Sequence, residues 1–262
     1  MTTTRHCVPR VEADAVSYRY PDGTTALHEV SVRVAPGEIV AVLGRSGAGK
    51  STLMRCLAGL AAPTSGRVLH DGVDRGGLRG RAKRRAHARV GLVFQEFQLV
   101  ERATVLSNTL IGRLAYQQLL PSLVHFVRRA DREIAVEAVR RLGLEEQLRK
   151  RADALSGGQR QRVAIARALA QEPDMLLADE PVANLDPVLA RGVVDDIVRL
   201  ARVEGLTAVL NLHDVDLARH VADRLVGLRA GRVVFDCPTA SVTTADLDLL
   251  YAEPDRAPAG VR

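Results

Sequence analysis

The feature that most constrains the fold is a glycine-rich loop between an apolar run and a helical pattern. Residues 39–43 (IVAVL) are all apolar, residues 44–51 read GRSGAGKS, and residues 50–60 have helical apolar spacing. The loop fits the pattern G-x-x-x-x-G-K-[ST], in which backbone N–H groups and a helix N-terminus bind phosphate. The buried strand before it and the helix after it are the context that this mechanism requires. The segment therefore predicts an α/β core that binds a phosphorylated ligand.

A second apolar run, residues 175–178, ends in two acids, Asp179 and Glu180. Many strands end in an acid that only caps the next helix, but together with the phosphate-binding loop the pair indicates nucleoside triphosphate chemistry. We expect Lys50 to reach the β- and γ-phosphates and the Ser51 hydroxyl to bind Mg²⁺. We expect Asp179 to hold Mg²⁺ through water and Glu180 to polarise the attacking water.

Strand and helix patterns alternate along most of the remaining chain, which favours α/β architecture with right-handed crossovers. Residues 11–20 and 30–34 alternate between apolar and polar, as half-buried antiparallel strands do. Residues 96–153 carry no strand pattern and are expected to be a helical insertion, and the tail 252–262 is expected to be disordered. The other predicted elements are buried strands at 90–94 and 207–212, helices at 159–170, 188–203 and 215–223, and a hairpin at 225–228 and 233–235 that turns at Ala230-Gly231.

The composition is that of a globular protein with an ordinary core. The 262 residues are 47% hydrophobic and 26% charged. No apolar run approaches the roughly 20 residues of a membrane span, and the N-terminus lacks the apolar segment of a secretory signal. Cys7, Cys56 and Cys237 are scattered, which argues against a disulfide framework and against zinc, and favours a reducing cytoplasm. Aromatic residues are only 3%, so a base-stacking platform for single-stranded nucleic acid is not expected.

The net charge of +6 is distributed unevenly along the chain. Residues 66–95 carry eight basic and two acidic residues, mostly within the segment RGRAKRRAHAR at 79–89. One interpretation is a solvated, arginine-rich helix. The other is a face that lies near anionic lipid headgroups, in which case Arg81, Lys83, Arg84 and Arg85 would contribute to membrane binding.

Residues 155–159 read LSGGQ and precede a helical pattern. Ser156 and Gln159 have the S-x-x-Q spacing of a helix capping box, which would by itself explain both residues. The two glycines between them cost about 1 kcal/mol each relative to alanine, and they are better explained if a second phosphate approaches the backbone there. This segment, beside the phosphate-binding loop, resembles the ATP-binding cassette (ABC) family. The resemblance extends from about residue 11 to residue 251.

The resemblance implies a fold and a set of site residues. The fold is a P-loop NTPase domain of the ABC type, with a mixed, mainly parallel core sheet, an antiparallel β subdomain and a helical subdomain at about 96–170, all in one domain over 1–262. The implied catalytic residues are Glu180, His213, Gln95 and Lys50, and the implied metal ligands are Ser51, Gln95 and Asp179. The implied nucleotide contacts are Tyr20, Gly44, Arg45, Ser46, Gly47, Ala48, Gly49, Lys50, Ser51, Thr52, Ser156, Gly157, Gly158, Gln159 and Asp186.

Tyr20, Asp186 and His213 match particular elements of the family, and two of them, Asp186 and His213, also have a purely structural explanation. Tyr20 matches the aromatic that stacks on adenine in the family, and Asp186 matches the loop that crosses the dimer interface. Asp186 is followed by Pro187, so it also has the sequence of a helix N-cap with proline at the first helical position. His213 matches the histidine that contacts the γ-phosphate. A lone histidine at this position is more often a surface residue, but its register with the other motifs favours the functional interpretation.

The resemblance also implies an activity and its partners. In this family ATP lies between the phosphate-binding loop of one subunit and the LSGGQ segment of another. We therefore expect ATP and Mg²⁺ as cofactors, a second copy of the chain, and transmembrane permease subunits. A substrate-binding protein would be an indirect partner, and nucleic acid is not expected. The chain would be a peripheral ATP hydrolase at the cytoplasmic face of the inner membrane.

The wording of residues 178–187, 211–218 and 223–236 resembles the cassettes of phosphonate importers, which predicts uptake of a phosphonate or a related phosphorus oxyanion. Three residues depart from that pattern: Asn184 stands where serine is common, Asp214 where glutamine is common, and Cys237 where glycine is expected. Asn184 is also typical of lipoprotein-release and cell-division cassettes, which remain an alternative. A further alternative is an ABC ATPase that acts on nucleic acid, which usually carries coiled-coil arms, zinc modules or a second cassette.

Overall fold

The computed structural model describes residues 8–116, 128–183 and 185–252. Asn184 and the tail 253–262 lie outside the described residues, so the predictions that concern them stay predictions. The strands are β1 (Val11–Arg19), β2 (Thr25–Val34), β3 (Ile39–Leu43), β4 (Ser65–His70), β5 (Val73–Asp74), β6 (Val90–Val93), β7 (Met175–Asp179), β8 (Thr207–Asn211), β9 (Arg224–Arg229) and β10 (Arg232–Pro238). The α-helices are α1 (Lys50–Leu57), α2 (Gly80–Ala88), α3 (Val105–Leu110), α4 (Arg129–Arg140), α5 (Gly157–Leu169), α6 (Pro187–Glu204), α7 (Val215–Val221) and α8 (Thr244–Tyr251).

A six-stranded sheet in the order β10-β9-β3-β8-β7-β6 forms the centre of the fold. All its neighbouring strands run parallel except β10, which pairs antiparallel with β9. Every residue of β3 is buried, and its alternate side chains enter two different apolar clusters. One cluster includes α5 and α6, and the other includes α1 and the second sheet. The prediction of buried parallel strands in a mixed core sheet is therefore confirmed.

The second sheet is antiparallel, in the order β2-β1-β4-β5. The alternating patterns at 11–20 and 30–34 correspond to β1 and to the second half of β2. The sequence did not predict β4 and β5, because the first three residues of β4 and both residues of β5 are exposed and give little apolar periodicity. Strand β4 exists because its backbone pairs with β1, in a register that places Val11 opposite His70. Long-range pairing of this kind leaves no local pattern.

Three predicted helices have a start or an end that differs from the prediction by two or more residues. The pattern over 50–60 predicted a longer helix, but α1 ends at Leu57. Gly59 follows with a φ of 72°, and the Leu60 N–H donates to the Arg55 carbonyl at 2.9 Å, which is a glycine C-cap. Helix α7 likewise ends at Val221 rather than at 223, because Asp223 instead accepts a hydrogen bond from the Ile39 N–H at the start of β3. Helix α5 begins at Gly157, two residues before the predicted start, because Ser156 is its N-cap.

The described residues between β6 and β7 contain helices and no strand. Helices α3, α4 and α5 pack on one another there, and a 3₁₀ helix, Ile111–Tyr116, follows α3 directly. A buried ion pair joins this layer: Arg113 donates to Asp131 at 2.9 Å and to Glu172 at 2.7 Å. Residues 117–127 of the predicted insertion lie outside the described residues. The proposed bounds of a helical subdomain at about 96–170 stay a prediction.

The C-terminal region is the predicted hairpin followed by a short helix. Ala230 and Gly231 link β9 to β10, and their φ values of 46° and 74° are those of a two-residue hairpin turn with both central residues left-handed. Helix α8 begins with a capping box formed by Thr243 and Asp246, and it packs against β9 and β10. Among the described residues, no helix is both long enough and apolar enough to cross a membrane.

Candidate functional site

Most of the predicted site residues meet at one edge of the central sheet. Strands β3, β8, β7 and β6 are parallel neighbours, and their carboxyl ends are in register. Val42 and Asp179 both pair with Asn211, and Val93 pairs with Ala178. The glycine-rich loop follows β3, His213 follows β8, Glu180 follows β7 and Gln95 follows β6. In open α/β sheets, ligands bind outside the carboxyl ends of the strands, and this edge has that geometry.

The glycine-rich loop is packed tightly against neighbouring backbone on one side. A Cβ atom at Gly44 would lie 2.2 Å from the Leu228 carbonyl oxygen, and one at Gly49 would lie 2.4 Å from the Ala26 carbonyl oxygen. Both glycines also have positive φ, so a larger residue would be strained at either position. The opposite side of the loop, formed by Arg45, Ser46 and Gly47, is exposed. The loop can therefore present its backbone to a ligand on that side.

Lys50 is buried at the start of α1, where its ammonium group closes the loop. The Nζ atom donates to the Gly44 carbonyl at 2.8 Å and to the Arg45 carbonyl at 3.1 Å. Burial lowers the pKa of Lys50 from its ordinary value, while the carboxylates of Glu180 and Asp179 act in the opposite direction. The charge of Lys50 thus lies close to Asp179, which is the last residue of β7, and to Glu180, which follows it.

Ser51 and Asp179, which the sequence predicts as Mg²⁺ ligands, contact each other in the structure. The Ser51 hydroxyl donates to Asp179 Oδ1 at 3.0 Å. The same carboxylate oxygen accepts the side-chain amide of Asn211 at 2.6 Å. Asn211 is fully buried, and its own side-chain oxygen has no hydrogen-bond partner among the described residues. A hydroxyl and a carboxylate oxygen are hard donors that suit Mg²⁺.

Sequence reasoning assigned no role to Asn211, although the structure places it between the two acids. Its backbone carbonyl accepts the Glu180 N–H at 3.2 Å, while its side chain holds Asp179. The available signal was a polar residue inside the mostly apolar run at 207–212, which pairs with Asp179 on the neighbouring strand. Recognising its importance requires knowing that β7 and β8 are neighbours in register.

Glu180 and His213 contact each other directly. Glu180 Oε1 lies 2.7 Å from His213 Nε2. The Glu180 backbone has a φ of 49°, a left-handed conformation that is unfavourable for a residue with a side chain. Its N–H bonds to Asn211 and its carbonyl accepts the Ala183 N–H at 3.3 Å, so the surrounding backbone maintains this conformation. Both side chains line a cleft of about 390 Å³ that also includes Asn211, Leu185 and Asp214.

Tyr20 lies beside the helix that follows the glycine-rich loop. Its hydroxyl is 2.9 Å from the Thr52 hydroxyl of α1, and its ring meets the Tyr18 ring edge-on with centroids 5.0 Å apart. The two residues are partly buried, and the ring of Tyr20 is oriented by these contacts. Gln95 is exposed just beyond β6, on the same sheet edge. The roles proposed for Tyr20 and Gln95 stay predictions.

The signature segment, residues 155–159, forms a separate unit at the start of α5. The predicted capping box is confirmed: the Gln159 N–H donates to Ser156 Oγ at 3.3 Å, and the Ser156 N–H donates to Gln159 Oε1 at 3.1 Å. A Cβ atom at Gly157 would lie 3.2 Å from a methyl group of Leu185, whereas one at Gly158 would only reach ordinary contact with Leu189. Within the described residues, no hydrogen bond joins this segment to the glycine-rich loop.

Asp186 is the N-cap residue of α6. It directly follows Leu185, the residue whose methyl group lies near Gly157. Its Oδ1 atom accepts the N–H groups of Val188 at 3.1 Å and Leu189 at 3.0 Å, with Pro187 at the first helical position. The predicted N-cap is therefore confirmed. Whether Asp186 also contacts nucleotide stays a prediction, and Asn184 of the same loop lies outside the described residues.

Comparison with known proteins places this site in a family. The profile of the family described as ABC transporter matches residues 27–183, which is more than half of the chain. The phosphonates import ATP-binding protein PhnC of Alcaligenes faecalis is 48% identical over 90% of this chain and 86% of that protein. The corresponding protein of Shouchella clausii is 44% identical over 93% of this chain and 92% of that protein.

Solved structures agree with the sequence relatives. CbiO1 of Clostridium perfringens, part of an ABC transporter complex, has a TM-score of 0.77 at 30% identity, covering 88% of this chain and 89% of that chain. The cassette MJ0796, solved as a dimer in a post-hydrolysis state with ADP and Pi, has a TM-score of 0.76 at 31% identity, covering 87% of this chain and 98% of that chain. The chain belongs to the ABC transporter family.

Proposed function

We propose that this chain is the ATP-hydrolysing subunit of an ABC importer that takes up a phosphonate or a related phosphorus oxyanion through a separate permease. The observation that carries the ATPase assignment is the sheet edge, where Lys50, Ser51, Asp179, Glu180 and His213 lie in direct or adjacent contact. The phosphonate assignment is supported by relatives of 43–50% identity, which carry phosphonate-import names. They do not favour the lipoprotein-release, cell-division or nucleic-acid alternatives.

Each residue at the edge has a defined task in this proposal. The backbone N–H groups of residues 44–51 and the Lys50 ammonium bind the β- and γ-phosphates, with Thr52 beside them and the ring of Tyr20 against the adenine. Glu180 accepts the proton of the attacking water, and its contact with His213 orients the carboxylate. His213 then binds the γ-phosphate. To bind the phosphates, the Lys50 ammonium exchanges its bonds to the Gly44 and Arg45 carbonyls for bonds to phosphate oxygens.

We propose that Ser51, Asp179 and Gln95 hold Mg²⁺. The described residues contain no group of three or more His, Cys, Asp or Glu side chains that could hold a metal ion by itself, but magnesium in nucleotide sites needs only one or two carboxylates plus substrate phosphates. The Ser51 hydroxyl and the Asp179 carboxylate, 3.0 Å apart, satisfy that requirement. The bound metal would neutralise charge on the triphosphate. Asn211 keeps the Asp179 carboxylate in place for this role.

The second half of each ATP site comes from another copy of the chain. Ser156, Gly157, Gly158, Gln159 and Asp186 would contact the nucleotide held by the partner's glycine-rich loop, because the N-terminus of α5 offers unpaired N–H groups and a positive dipole end. In keeping with this, the similar cassette MJ0796 was solved as a dimer. The subunit would be peripheral, at the cytoplasmic face of the inner membrane, with permease subunits and an indirectly coupled substrate-binding protein.

Substitution of Glu180 by glutamine tests the ATPase assignment. Glutamine keeps the shape of the side chain and can still bond to His213, but it cannot accept a proton. We expect ATP turnover to fall at least about 100-fold, while ATP binding persists and an ATP-bound dimer accumulates. Turnover is measured by phosphate release and the dimer by size-exclusion chromatography with ATP. Full ATPase activity in this variant would reject Glu180 as the catalytic base.

Reconstitution with the proteins encoded beside this gene tests the import assignment. With a polytopic permease and a binding protein in liposomes, we expect ATP turnover to rise when the binding protein carries a phosphonate, and we expect sulfate to have no such effect. A neighbouring permease with a large extracytoplasmic domain and no binding protein would instead support lipoprotein release. In that case the phosphonate assignment fails while the ATPase assignment stands.

A further inference from the structure

An open groove of about 460 Å³ lies beside α2, away from the ATP site. We call it the arginine groove, and it is lined by Arg81, Arg84, Arg85 and Arg89, with Tyr116, Glu172 and Asp174. Lys83 does not line it and faces a different cavity with His70 and His87. The structure thus divides the basic segment at 79–89, whose members the sequence could only treat together.

The two carboxylates of the groove are already engaged in ion pairs. Glu172 accepts from Arg113 at 2.7 Å, and Asp174 accepts from Arg89. Arg81, Arg84 and Arg85 have no ion pair and no side-chain hydrogen bond with any described residue. Three guanidinium groups therefore line one groove without a carboxylate partner of their own among the described residues. Arginine is well suited to phosphate, because its planar fork can form two parallel hydrogen bonds.

A second arginine-rich helix in the same chain shows that this arrangement is specific. In α4, Arg129 pairs with Glu133 at 2.9 Å and Arg140 pairs with Glu137 at 2.7 Å, at helical spacing. Helix α2 has four basic residues and no acidic residue, and Arg81 and Arg85 are four residues apart, where like charges destabilise a helix. Two of the three arginines of α4 are thus paired, whereas Arg81, Arg84 and Arg85 of α2 are not paired with any described residue.

The 3₁₀ helix that contributes Tyr116 to the arginine groove also exposes two aliphatic side chains. The 3₁₀ helix Ile111–Tyr116 packs against α2 and leaves Ile111 36%, Leu114 52% and Tyr116 41% exposed. Ile111 and Leu114 are three residues apart, so they lie on one side of a 3₁₀ helix. The Tyr116 hydroxyl donates to the Gln171 carbonyl at 2.6 Å, which holds the ring at the groove. Unpaired arginines beside exposed aliphatic and aromatic side chains are typical of protein surfaces that bind membranes.

We propose that the arginine groove binds the phosphate headgroups of anionic lipids, with Ile111, Leu114 and Tyr116 in contact with the adjoining apolar layer. The inference goes beyond the proposed function and does not depend on it. An acidic protein segment would satisfy the arginines but would not explain why apolar side chains stay exposed beside them. A membrane surface accounts for both features, because its phosphates and its acyl chains lie within a few ångströms of each other.

Co-sedimentation of the full chain with vesicles tests this proposal. We expect binding to phosphatidylcholine vesicles that contain phosphatidylglycerol, and much weaker binding to pure phosphatidylcholine. Substituting Arg81, Arg84 and Arg85 together by glutamine should weaken binding on the order of 100-fold, because each basic residue near an anionic surface contributes separately. The matched control replaces Arg129, Arg132 and Arg140 of α4 by glutamine, which removes the same charge, and it should bind nearly as wild type does.

A second variant separates the membrane from an acidic partner. Leu114→Ser should weaken vesicle binding severalfold, with an effect that persists at high salt, whereas the arginine effect should be screened. All variants should retain wild-type ATP turnover in the absence of vesicles, because none of these residues lies at the ATP site. Equal loss of binding in the α4 control, or equal binding to neutral and anionic vesicles, would overturn the proposal. A loss of vesicle binding in the arginine variant with no loss in Leu114→Ser would also overturn the proposal. That result would indicate that the groove binds an acidic protein partner.

Discussion

The sheet edge and the signature segment are built in opposite ways. At the edge, polar side chains from β7, β8 and α1 bond to one another, and Asp179 receives Ser51 and Asn211 on one oxygen. In the signature segment, the Ser156 and Gln159 side chains bond only to each other's backbone. The edge is therefore assembled by tertiary contacts, whereas the signature is complete as a local helix cap. Because the Ser156 and Gln159 side chains form no hydrogen bond with other described parts of the chain, this surface is suited to contact another molecule.

The electrostatics of the two regions differ in the same sense. The edge contains a buried lysine close to two carboxylates, so it holds charges of both signs, as the proposed binding of a metal and phosphates requires. The first turn of α5 contains no acidic residue, so the positive end of the helix dipole is unopposed. Acidic residues are favourable at helix N-termini, so their absence leaves the N-terminus of α5 suited to bind an anion.

The largest expected effect comes from separating the two regions genetically. Lys50→Met should abolish phosphate binding at the edge, and Gly157→Asp should place a negative charge at the signature. Each variant alone should lose at least about 100-fold in turnover. An equal mixture should regain about a quarter of wild-type activity, because half of the dimers would then hold one intact composite site. Phosphate release by each variant and by the mixture measures this.

Folding of both variants is checked by thermal unfolding before mixing. The Gly157→Asp side chain must displace a methyl group of Leu185, which is flexible enough to move. A mixture no more active than the two separate variants, with both proteins folded and able to form dimers, would mean that the edge and the signature act within one chain.

A smaller effect is expected at the edge from Asn211→Ala. Removing the amide leaves Asp179 with fewer hydrogen bonds to hold its carboxylate, so turnover should fall by about 10-fold to 100-fold and the Mg²⁺ concentration for half activity should rise. Titration of ATPase activity with Mg²⁺ measures both quantities.

The matched control for this variant is Thr207→Ala. Thr207 is also fully buried, but it lies at the other end of β8, where its hydroxyl donates to the Ala35 carbonyl at 3.3 Å and accepts the Gly37 N–H at 2.9 Å. This variant should lose stability but keep the Mg²⁺ dependence of wild type. An unchanged Mg²⁺ dependence in Asn211→Ala would show that Asn211 serves packing alone.

The smallest expected effect comes from the two capping boxes of the chain. Ser156→Ala and Thr243→Ala each remove the capping hydroxyl of a helix, so each should lower the free energy of unfolding by about 1 kcal/mol. Only Ser156→Ala should also reduce ATP turnover, by about threefold to tenfold, because its hydroxyl would bond to phosphate as well. Chemical denaturation and ATPase assays compare the pair. Equal turnover in both variants would indicate that Ser156 is only a cap.

The regions that sequence predicted well are those with local causes. The buried strand β3 matches its predicted residues, because five consecutive apolar residues suit a strand covered on both faces. The capping box at Ser156 and the N-cap at Asp186 depend on side chains that reach only two or three residues along the chain. Strands β4 and β5 were missed because their exposed residues have no apolar pattern; the pairing of β4 with β1 and of β5 with β4 defines them.

By itself, the sequence determined the phosphate-binding loop, the helix caps, the buried strands and the family, because each depends on residues close together in the chain. The tertiary structure decided that Asn211 holds Asp179, that Glu180 meets His213, and which arginines of α2 share a groove. The contacts of Asp179 with Asn211 and of Glu180 with His213 join residues 32 and 33 positions apart, because neighbouring strands align in register. Register and ion pairing depend on the whole packed chain, and no local pattern encodes them.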